Sequence, residues 1–317
     1  MGKAKGIVKA VCISEKKGIG KSDIGSGFFI ENRGIENDVH AGNHHKQISL
    51  LSEDKIKHFN SLGADVGFGD FGENLVVEGI DFGSLYVGTL LKCSDVVLEI
   101  SQVGKECHHR CQIYDKMGDC IMPREGVFAC VLKQGTISVG DVMEVDETGL
   151  FESTFRAAVL TISDKGAKNE REDESGVVIT TLLKDAGYKI VDYKILPDEQ
   201  DDIEKALRRY ADRRQVDLIL TTGGTGFSVR DVTPEATLAV AERNAPGIAE
   251  AIRAFSMQIT GRAMLSRGAS VIRGRTLIIN LPGSPKAVRE CLNFVLPQLS
   301  HGIDVLRGSV TECAKER

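Results

Sequence analysis

The second half of the sequence alternates apolar runs of strand length with amphipathic runs of helix length, and this alternation restricts the possible folds more than any other feature. The order is strand, helix, strand, helix, strand, over residues 156–163, 175–187, 188–196, 198–214 and 216–224. Strands joined by helices of this length form a parallel sheet with helices on both faces and right-handed crossovers. We therefore predict a doubly wound α/β domain, whose ligands bind at the carboxyl ends of the strands.

The first half has a different pattern, in which short β-type runs are separated by Gly and Asp. These runs span residues 6–14, 46–52, 74–80, 90–101, 127–135 and 140–145. Short strands at close spacing predict a β-rich barrel or sandwich. One helix is predicted at 52–63, with Ser52 as N-cap and Gly63 as C-cap. The aperiodic stretch that follows predicts a linker at 148–154 between a domain at 1–147 and a domain at 155–317.

The length and charge of the chain agree with two ordinary globular domains. The 317 residues suffice for two cores, and 42% are hydrophobic and 27% charged. Residues 1–150 contain 16 Lys and Arg against 22 Asp and Glu, and residues 151–317 contain 24 against 23. Neither balance predicts nucleic acid as a partner. No apolar stretch has the length of a signal peptide core or a membrane span, so we expect a cytoplasmic protein without a membrane partner, whose eight cysteines are mostly thiols.

The strand at 216–224 runs into the glycine-rich stretch "TTGGTGFSVRDVTPEAT" (221–237). Glycines adopt backbone conformations that let successive N–H groups face one anion, so this loop is a candidate phosphate site. The residues in question are Thr222, Gly223, Gly224, Thr225 and Gly226. A helix is predicted after the loop, with Thr233 as N-cap and Pro234 at its first position, and its positive end would add to the site. A turn built only for compactness is the alternative.

Five stretches in this half occur in the order found in one family. They are "TISD" (161–164), "EDESG" (172–176), "LPDE" (196–199), the glycine-rich stretch and "NLPGSPKAV" (280–288). In these the chain resembles the molybdopterin adenylyltransferases, relatives of the gephyrin and plant molybdenum-insertion G domains. The resemblance implies that ATP donates AMP to the terminal phosphate of molybdopterin, giving adenylylated molybdopterin and pyrophosphate. It also implies a homotrimer through the C-terminal domain and a molybdate-insertion protein as a partner.

The proposed chemistry needs metal holders rather than a base, because a phosphate nucleophile is already ionised at pH 7. The resemblance assigns catalysis and Mg²⁺ binding to Asp198 and Asp231. The alternatives are a helix N-cap for Asp198 and a surface pair with Arg230 for Asp231. Further substrate-binding residues predicted along the strand ends are Ser163, Asp164, Asp173, Ser175, Gly283, Ser284 and Lys286. A non-catalytic molybdopterin carrier or scaffold, and nucleotide hydrolysis on the same fold, remain alternative functions.

The first half resembles a MOSC domain, the module named for the C-terminus of molybdenum cofactor sulfurases. The matching stretches are 34–52, 69–81, 87–101, "QVGKEC" (102–107) and 126–141. The resemblance implies that the domain binds the molybdenum cofactor, and that Cys107 carries sulfur or meets the metal of that cofactor. Basic neighbours, Lys105 and His108 among them, favour a thiolate at Cys107.

The stretch "KECHHRC" (105–111) also raises a zinc alternative. No second C-x2-C or H-x3-H pair follows, which argues against a structural zinc site. Cys111 is a resolving partner, a second ligand or a structural thiol. Nearby, His40, Asn43 and His44 are either cofactor contacts or ordinary surface residues. The remaining cysteines lie in or beside apolar runs and are expected to be buried, namely Cys12, Cys93, Cys120, Cys130 and Cys291.

Overall fold

A computed structural model of the chain describes residues 4–105, 112–146 and 154–308. The chain divides into two compact units between residues 152 and 153. The linker predicted at 148–154 lies outside the described residues except for Thr154. Within the described ranges, no helix has the length and apolar character needed to cross a membrane.

The N-terminal unit contains a closed barrel of seven strands. The order around the barrel is β11-β7-β8-β9-β5-β6-β1, and pairing of β1 with β11 closes it. Its strands, with four short ones beside the barrel, are β1 (Lys5–Ile13), β2 (Ser22–Asp23), β3 (Ser26–Ile30), β4 (Gly34–Ile35), β5 (Ile48–Ser52), β6 (Leu75–Glu78), β7 (Leu90–Cys93), β8 (Val96–Val103), β9 (Val127–Lys133), β10 (Gly135–Ser138) and β11 (Val142–Asp146). Closure leaves the barrel itself without an open edge. The β-rich class predicted for this half is thereby confirmed.

Two of the predicted elements differ in detail from the structure. The run at 90–101 is a hairpin rather than one strand, because Ser94 adopts a φ of 51° and turns the chain between β7 and β8. The predicted helix is present as α1 (Glu53–Ser61), and Ser52 precedes it without a side-chain capping bond. Two short helices that the pattern did not indicate, α2 (Gln112–Met117) and α3 (Met122–Glu125), follow β8.

The C-terminal unit is a six-stranded sheet covered by helices on both faces, which confirms the doubly wound class. The sheet order is β13-β12-β14-β17-β16-β15. Its elements are β12 (Arg156–Ile162), α4 (Asp164–Ala167), α5 (Glu174–Asp185), β13 (Lys189–Leu196), α6 (Gln200–Arg208), β14 (Leu218–Thr222), α7 (Thr233–Ala239), β15 (Arg243–Asn244), α8 (Pro246–Met257), β16 (Ser270–Arg273), β17 (Thr276–Leu281) and α9 (Pro285–Arg307). A π-helical turn, Arg209–Arg213, extends α6.

Alternate residues of each central strand face opposite sides, so the sheet supports two cores. Ala157 and Val159 of β12 pack with α5, α8 and α9, whereas Ala158 and Leu160 pack with α6 and α7. This two-sided burial is the reason that β12 reads as a continuous apolar run. The sheet is mixed, because β15 and β16 are antiparallel to their neighbours, and these two strands were not indicated by the pattern.

Candidate functional site

The four parallel strands of the C-terminal sheet end level with one another. Ile162 at the end of β12 pairs with Leu196 at the end of β13. Thr222 at the end of β14 pairs with Thr161 on one side and with Leu281 on the other. The segments that follow these strands therefore lie together at the carboxyl ends of the parallel strands, where a doubly wound fold is predicted to bind its ligands.

A cleft of about 370 Å³ opens along these strand ends. Seven of the predicted substrate-binding residues line it, namely Ser163, Asp173, Ser175, Thr222, Gly223, Gly283 and Ser284. Among the described residues of its wall, Arg171 is the single cation. The sequence analysis did not select Arg171, although it lies within the charged loop between α4 and α5.

Close backbone contacts explain why glycine occupies the floor of the cleft. Gly223 has a φ of +95°, and a Cβ atom there would lie 2.2 Å from the carbonyl oxygen of Ile162. A Cβ on Gly283 would make ordinary van der Waals contact with the Cα of Gly223 at 3.5 Å, so the need for glycine is at position 223. Two hydroxyl groups join the strand ends: Thr222 Oγ1 donates to the carbonyl of Pro282 at 2.6 Å, and Ser175 Oγ donates to that of Gly283 at 2.9 Å. These hydrogen bonds join the strand ends that form the floor of the cleft.

Two helices begin at this cleft, and each contributes a positive end. Asp173 caps α5 by accepting from the amide of Gly176 at 2.9 Å, and its other oxygen accepts from the hydroxyl of Tyr193. Ser284 caps α9 by accepting from the amide of Ala287 at 3.3 Å. Burial and the adjacent Asp173 carboxylate keep the pKa of the Tyr193 hydroxyl above its usual value. Backbone amides and helix dipoles of this kind suit a phosphate.

Asp164 and Asp198 hold the next part of this end of the sheet together. The amide of Asp164 donates to Asp198 Oδ2 at 2.9 Å, and the amide of Asp198 donates to Asp164 Oδ1 at 3.1 Å. Arg230 donates to both oxygens of Asp164, at 3.1 and 2.9 Å, and lies 2.9 Å from Glu199 Oε1. Hydrogen bonds from Arg230 lower the pKa of Asp164. Burial raises the pKa of Asp198, and the negative charges of Asp164 and Asp231 raise it further.

The glycine-rich loop lies beside both predicted catalytic aspartates. A Cβ on Gly224 would lie 3.0 Å from Asp198 Oδ1, and one on Gly226 would lie 2.9 Å from Asp231 Oδ2. Asp231 Oδ2 accepts from the amide of Ser228 at 2.9 Å. Neither alternative role is observed: α6 begins after Glu199, so Asp198 is not its N-cap, and Arg230 pairs with Asp164 and Glu199 instead of Asp231.

Asp198 and Asp231 fit a magnesium ion. The Oδ1 atoms of both residues have no hydrogen bond within the described part of the chain, and the pKa of Asp198 is raised first by burial and then by the negative charges of Asp164 and Asp231, which a cation would offset. In the same ranges, no group of three or more His, Cys, Asp or Glu side chains forms a metal cage. Mg²⁺ commonly binds through one or two carboxylates and completes its shell with water and substrate phosphates, so two carboxylates suffice.

Three predicted details are different in the structure. Thr233 is the first residue of α7 rather than its N-cap, and its Oγ1 donates to the carbonyl of Gly223 at 3.0 Å. Lys286 is exposed, and its Nζ lies 3.9 Å from Glu290 Oε1. It is not among the residues that line the cleft. Thr225 is buried and presents its carbonyl to the amide of Arg267 at 3.0 Å.

Two residues that organise the site were missed. Arg267 donates through Nε to the carbonyl of Gly226 at 2.6 Å, and its other nitrogens contact the carbonyl of Asp231 and the carboxylate of Glu235. Asn280 donates to the hydroxyls of Thr221 and Thr237 at 2.9 and 2.8 Å. The polar Asn280 within the apolar strand β17 was a readable signal, whereas no sequence pattern marked Arg267.

In the N-terminal unit, Cys107 and Cys111 lie outside the described residues, as does the rest of 106–111. Gln102 is buried and binds Nε2 of His45 through Oε1 at 3.1 Å, and its Nε2 donates to the carbonyl of Gly104 at 2.8 Å. Lys105 Nζ lies 3.4 Å from the carbonyl of Phe71. The first residue of the predicted Q-x4-C motif is therefore a structural anchor.

A buried charge cluster lies in the same unit around Asp38. Its Oδ2 accepts from Lys21 Nζ and from Asn74 Nδ2, both at 2.5 Å, and its Oδ1 accepts from the amide of His40 at 3.1 Å. Burial lowers the pKa of Lys21. Burial acts to raise the pKa of Asp38, but the hydrogen bonds from Lys21 and His40 outweigh it and the net shift is downward. All three candidate cofactor contacts are exposed; His40 Nδ1 also lies 3.2 Å from Asp38 Oδ1, and His44 Nε2 lies 3.1 Å from the carbonyl oxygen of His40.

Comparison with known proteins gives the same division of the chain. Residues 37–144 match the MOSC domain family, and residues 158–301 match the family described as a probable molybdopterin binding domain. Over 158 residues the chain is 42% identical to a molybdopterin adenylyltransferase of Helicobacter pylori, covering 49% of this chain and 90% of that one. Over 155 residues it is 43% identical to the molybdenum cofactor synthesis protein cinnamon of Drosophila melanogaster, and the match covers 48% of this chain and 26% of that one. The crystal structure of the molybdopterin biosynthesis enzyme MoaB from Thermus thermophilus is 48% identical, with a TM-score of 0.46, and covers 49% of this chain and 98% of that one.

These matches identify a protein of the molybdenum cofactor biosynthesis class, with a C-terminal domain that matches the probable molybdopterin binding family and an N-terminal domain that matches the MOSC family. Through its C-terminal unit the chain belongs to the molybdopterin adenylyltransferase family, whose named members at about 40% identity match that half of the chain.

Proposed function

We propose that the C-terminal domain transfers AMP from ATP to the terminal phosphate of molybdopterin. The observation that carries this proposal is the pair Asp198 and Asp231, set against a glycine-rich loop beside a cleft that receives two helix N-termini. The names of the Helicobacter pylori and Escherichia coli relatives support it. In the reaction a phosphate oxygen of molybdopterin bonds to the α-phosphorus of ATP, and the bond from that phosphorus to the bridging oxygen breaks, releasing pyrophosphate.

The residues of this chain position two polyanions. The amides around Gly223 and Gly283 and the first turns of α5 and α9 bind phosphate, and Arg171 adds a positive charge at the wall. Asp198 and Asp231 hold Mg²⁺, which when bound neutralises charge on the transferring phosphate. No side chain has to remove a proton, because the attacking phosphate is ionised at pH 7.

Substituting Asp231→Asn tests the metal-holding role. The amide keeps the shape of the side chain and loses its charge, so we expect pyrophosphate release from ATP and molybdopterin to fall at least about a hundredfold, the effect of roughly 3 kcal/mol at the transition state. Asp198→Asn should behave alike. Asp201→Asn, which removes an exposed acid in the first turn of α6, is the matched control and should keep the parental rate.

The outcomes also separate the alternative functions. A parental rate in Asp231→Asn would contradict the metal-holding role. Molybdopterin binding without pyrophosphate release in the parent would indicate a carrier or scaffold. Release of AMP without adenylylated molybdopterin would indicate nucleotide hydrolysis.

We further propose that the C-terminal domain forms a homotrimer in the cytoplasm and passes its product to a molybdate-insertion protein. Four exposed apolar side chains at the end of α8 and in the segment before β16 support self-association, because apolar patches on a protein surface mark interaction sites. These are Met257, Ile259, Met264 and Leu265. A monomer by light scattering would contradict the trimer.

For the N-terminal domain we propose binding of the molybdenum cofactor, with Cys107 as a sulfur carrier or metal ligand. Lys105 supports this proposal, because it precedes Cys107 by two residues in the sequence and its ammonium group is part-buried near the carbonyl oxygen of Phe71. Cofactor identified by mass spectrometry in the purified chain, and lost in Cys107→Ser, would agree with it.

A further inference from the structure

A second cavity of about 370 Å³ lies in the C-terminal unit, at the amino-terminal ends of β12 and β13. The proposed active site lies at the carboxyl ends of the same strands. Phe155 and Tyr188, which precede β12 and β13, form its floor, and the end of α5 and the middle of α9 form its sides. Most of the wall is apolar, with Phe155, Leu182 and Leu296 contributing large side chains. None of the residues selected from the sequence lines it, and the proposed transfer reaction does not use it.

The charge of this cavity is negative. Asp185, whose carboxylate is exposed at the mouth of the cavity, carries the single formal charge among the described residues of the wall, and no salt bridge to it is observed in the described part of the chain. It is the last residue of α5, where the helix dipole already places partial negative charge. An acid at this position is unfavourable for the helix, so helix stability does not explain its presence.

One uncharged polar group of the wall also lacks its usual partner. Residue 297 of α9 is proline, so the carbonyl of Asn293, which lines the cavity, has no amide donor four residues further on. A ligand that donates hydrogen bonds would satisfy the Asn293 carbonyl, and Asp185 would attract a positive charge.

We propose that this cavity binds a small organic cation with an apolar or aromatic body and a primary ammonium group. The body packs against Phe155, Leu182 and Leu296, and the ammonium group binds the Asp185 carboxylate and the Asn293 carbonyl. A ligand bearing a carboxylate is repelled by Asp185 and by the end of α5. The proposal is independent of adenylyl transfer, because the cavity and the cleft lie at opposite ends of the strands.

Two probes of nearly equal size test the proposal on the full chain. 2-Phenylethylamine has the ammonium group, and 2-phenylethanol replaces it with a hydroxyl group. Titration followed by saturation-transfer NMR should show the amine binding roughly tenfold more tightly at pH 7, the factor that a charge-assisted hydrogen bond supplies. In Asp185→Asn the two probes should bind alike, whereas the charge-matched control Asp201→Asn should retain the preference.

A crystal soaked with the amine should show its ring between Phe155 and Leu296. Equal binding of the two probes by the parent would overturn the proposal, since the cavity would then be an apolar site without charge selectivity. A preference that persists in Asp185→Asn, or no binding of the amine at millimolar concentration, would also overturn it.

Discussion

At the scale of the residue, three buried cysteines are expected to be less reactive than Cys107. Burial raises the pKa of Cys12 and of Cys93 to about 12, and that of Cys291 above its usual value. These groups therefore stay protonated and covered at neutral pH, whereas basic neighbours favour a thiolate at Cys107. We predict that iodoacetamide near pH 7 alkylates Cys107 first, as measured by peptide mass spectrometry.

Cys107→Ser should remove the fast-reacting site and leave adenylyl transfer unchanged, because that reaction is proposed for the other unit. Alkylation of Cys12 or Cys93 ahead of Cys107 would contradict the prediction. Tightly bound zinc in unit stoichiometry, lost alike in Cys107→Ser and Cys111→Ser, would instead establish the zinc alternative.

Glu73 should make the stability of the barrel depend on pH. Its Oε1 accepts from the amide of Gly69 at 2.7 Å, its Oε2 is buried without a partner in the described ranges, and burial raises its pKa from 4.5 to about 7. Between these values the folded state holds a proton that the unfolded state releases, so the free energy of unfolding falls as pH rises, by about 3 kcal/mol in total. Glu73→Gln should remove this slope, and Glu36→Gln, at an exposed glutamate, should preserve it.

Hydrogen exchange of barrel amides in β1 and β6, followed from pH 5 to pH 8, measures the effect. An identical slope in the parent and in Glu73→Gln would show that the carboxyl group is not the titrating group.

At the scale of the element, the loop after β14 lies so close to the end of β12 that position 223 should tolerate only glycine. Gly223→Ala combines a φ of +95° with a Cβ 2.2 Å from the carbonyl oxygen of Ile162. Gly274, in the turn between β16 and β17, has a φ of +56° and nothing within 4 Å of its Cβ position. We predict that Gly274→Ala lowers the free energy of unfolding by about 1 kcal/mol, and Gly223→Ala by about 3 kcal/mol, because the clash adds to the strain. Calorimetry of both variants measures which one loses more free energy of unfolding. Equal losses would mean that the loop after β14 relaxes to accommodate the Cβ.

At the scale of the whole molecule, the two units should behave as separate domains. Each has its own buried core, and the chain divides between residues 152 and 153. We predict that a protease site placed within 147–153 yields two folded fragments, and that the C-terminal fragment keeps the transfer activity. Circular dichroism and pyrophosphate release on the separated fragments measure this outcome. Aggregation or unfolding of either fragment alone would show that the units depend on each other.

The sequence by itself determined the class of each unit and many of its elements, although α4, α8 and β17 of the C-terminal unit were not predicted. Period-2 and period-3.6 apolar patterns are local, so they predicted β12, α5, β13, α6 and β14 with bounds close to those observed. The rule that ligands bind at strand ends, together with the family motifs, selected seven of the residues that line the cleft. Short β15 and β16 escaped because two to four residues carry too little periodicity.

Only the tertiary structure decided which side chains meet. Arg230 pairs with Asp164, 66 residues away, and Arg267 supports a loop 41 residues before it. Such contacts depend on the order and register of the strands, which no local pattern encodes. The same reason explains Thr233, which was predicted from its local position as a cap and instead donates to the carbonyl of Gly223. It also explains the second cavity, whose wall comes from three separate segments of the chain. Residue type and spacing therefore determined the elements, whereas the packing of distant elements decided the geometry of the site.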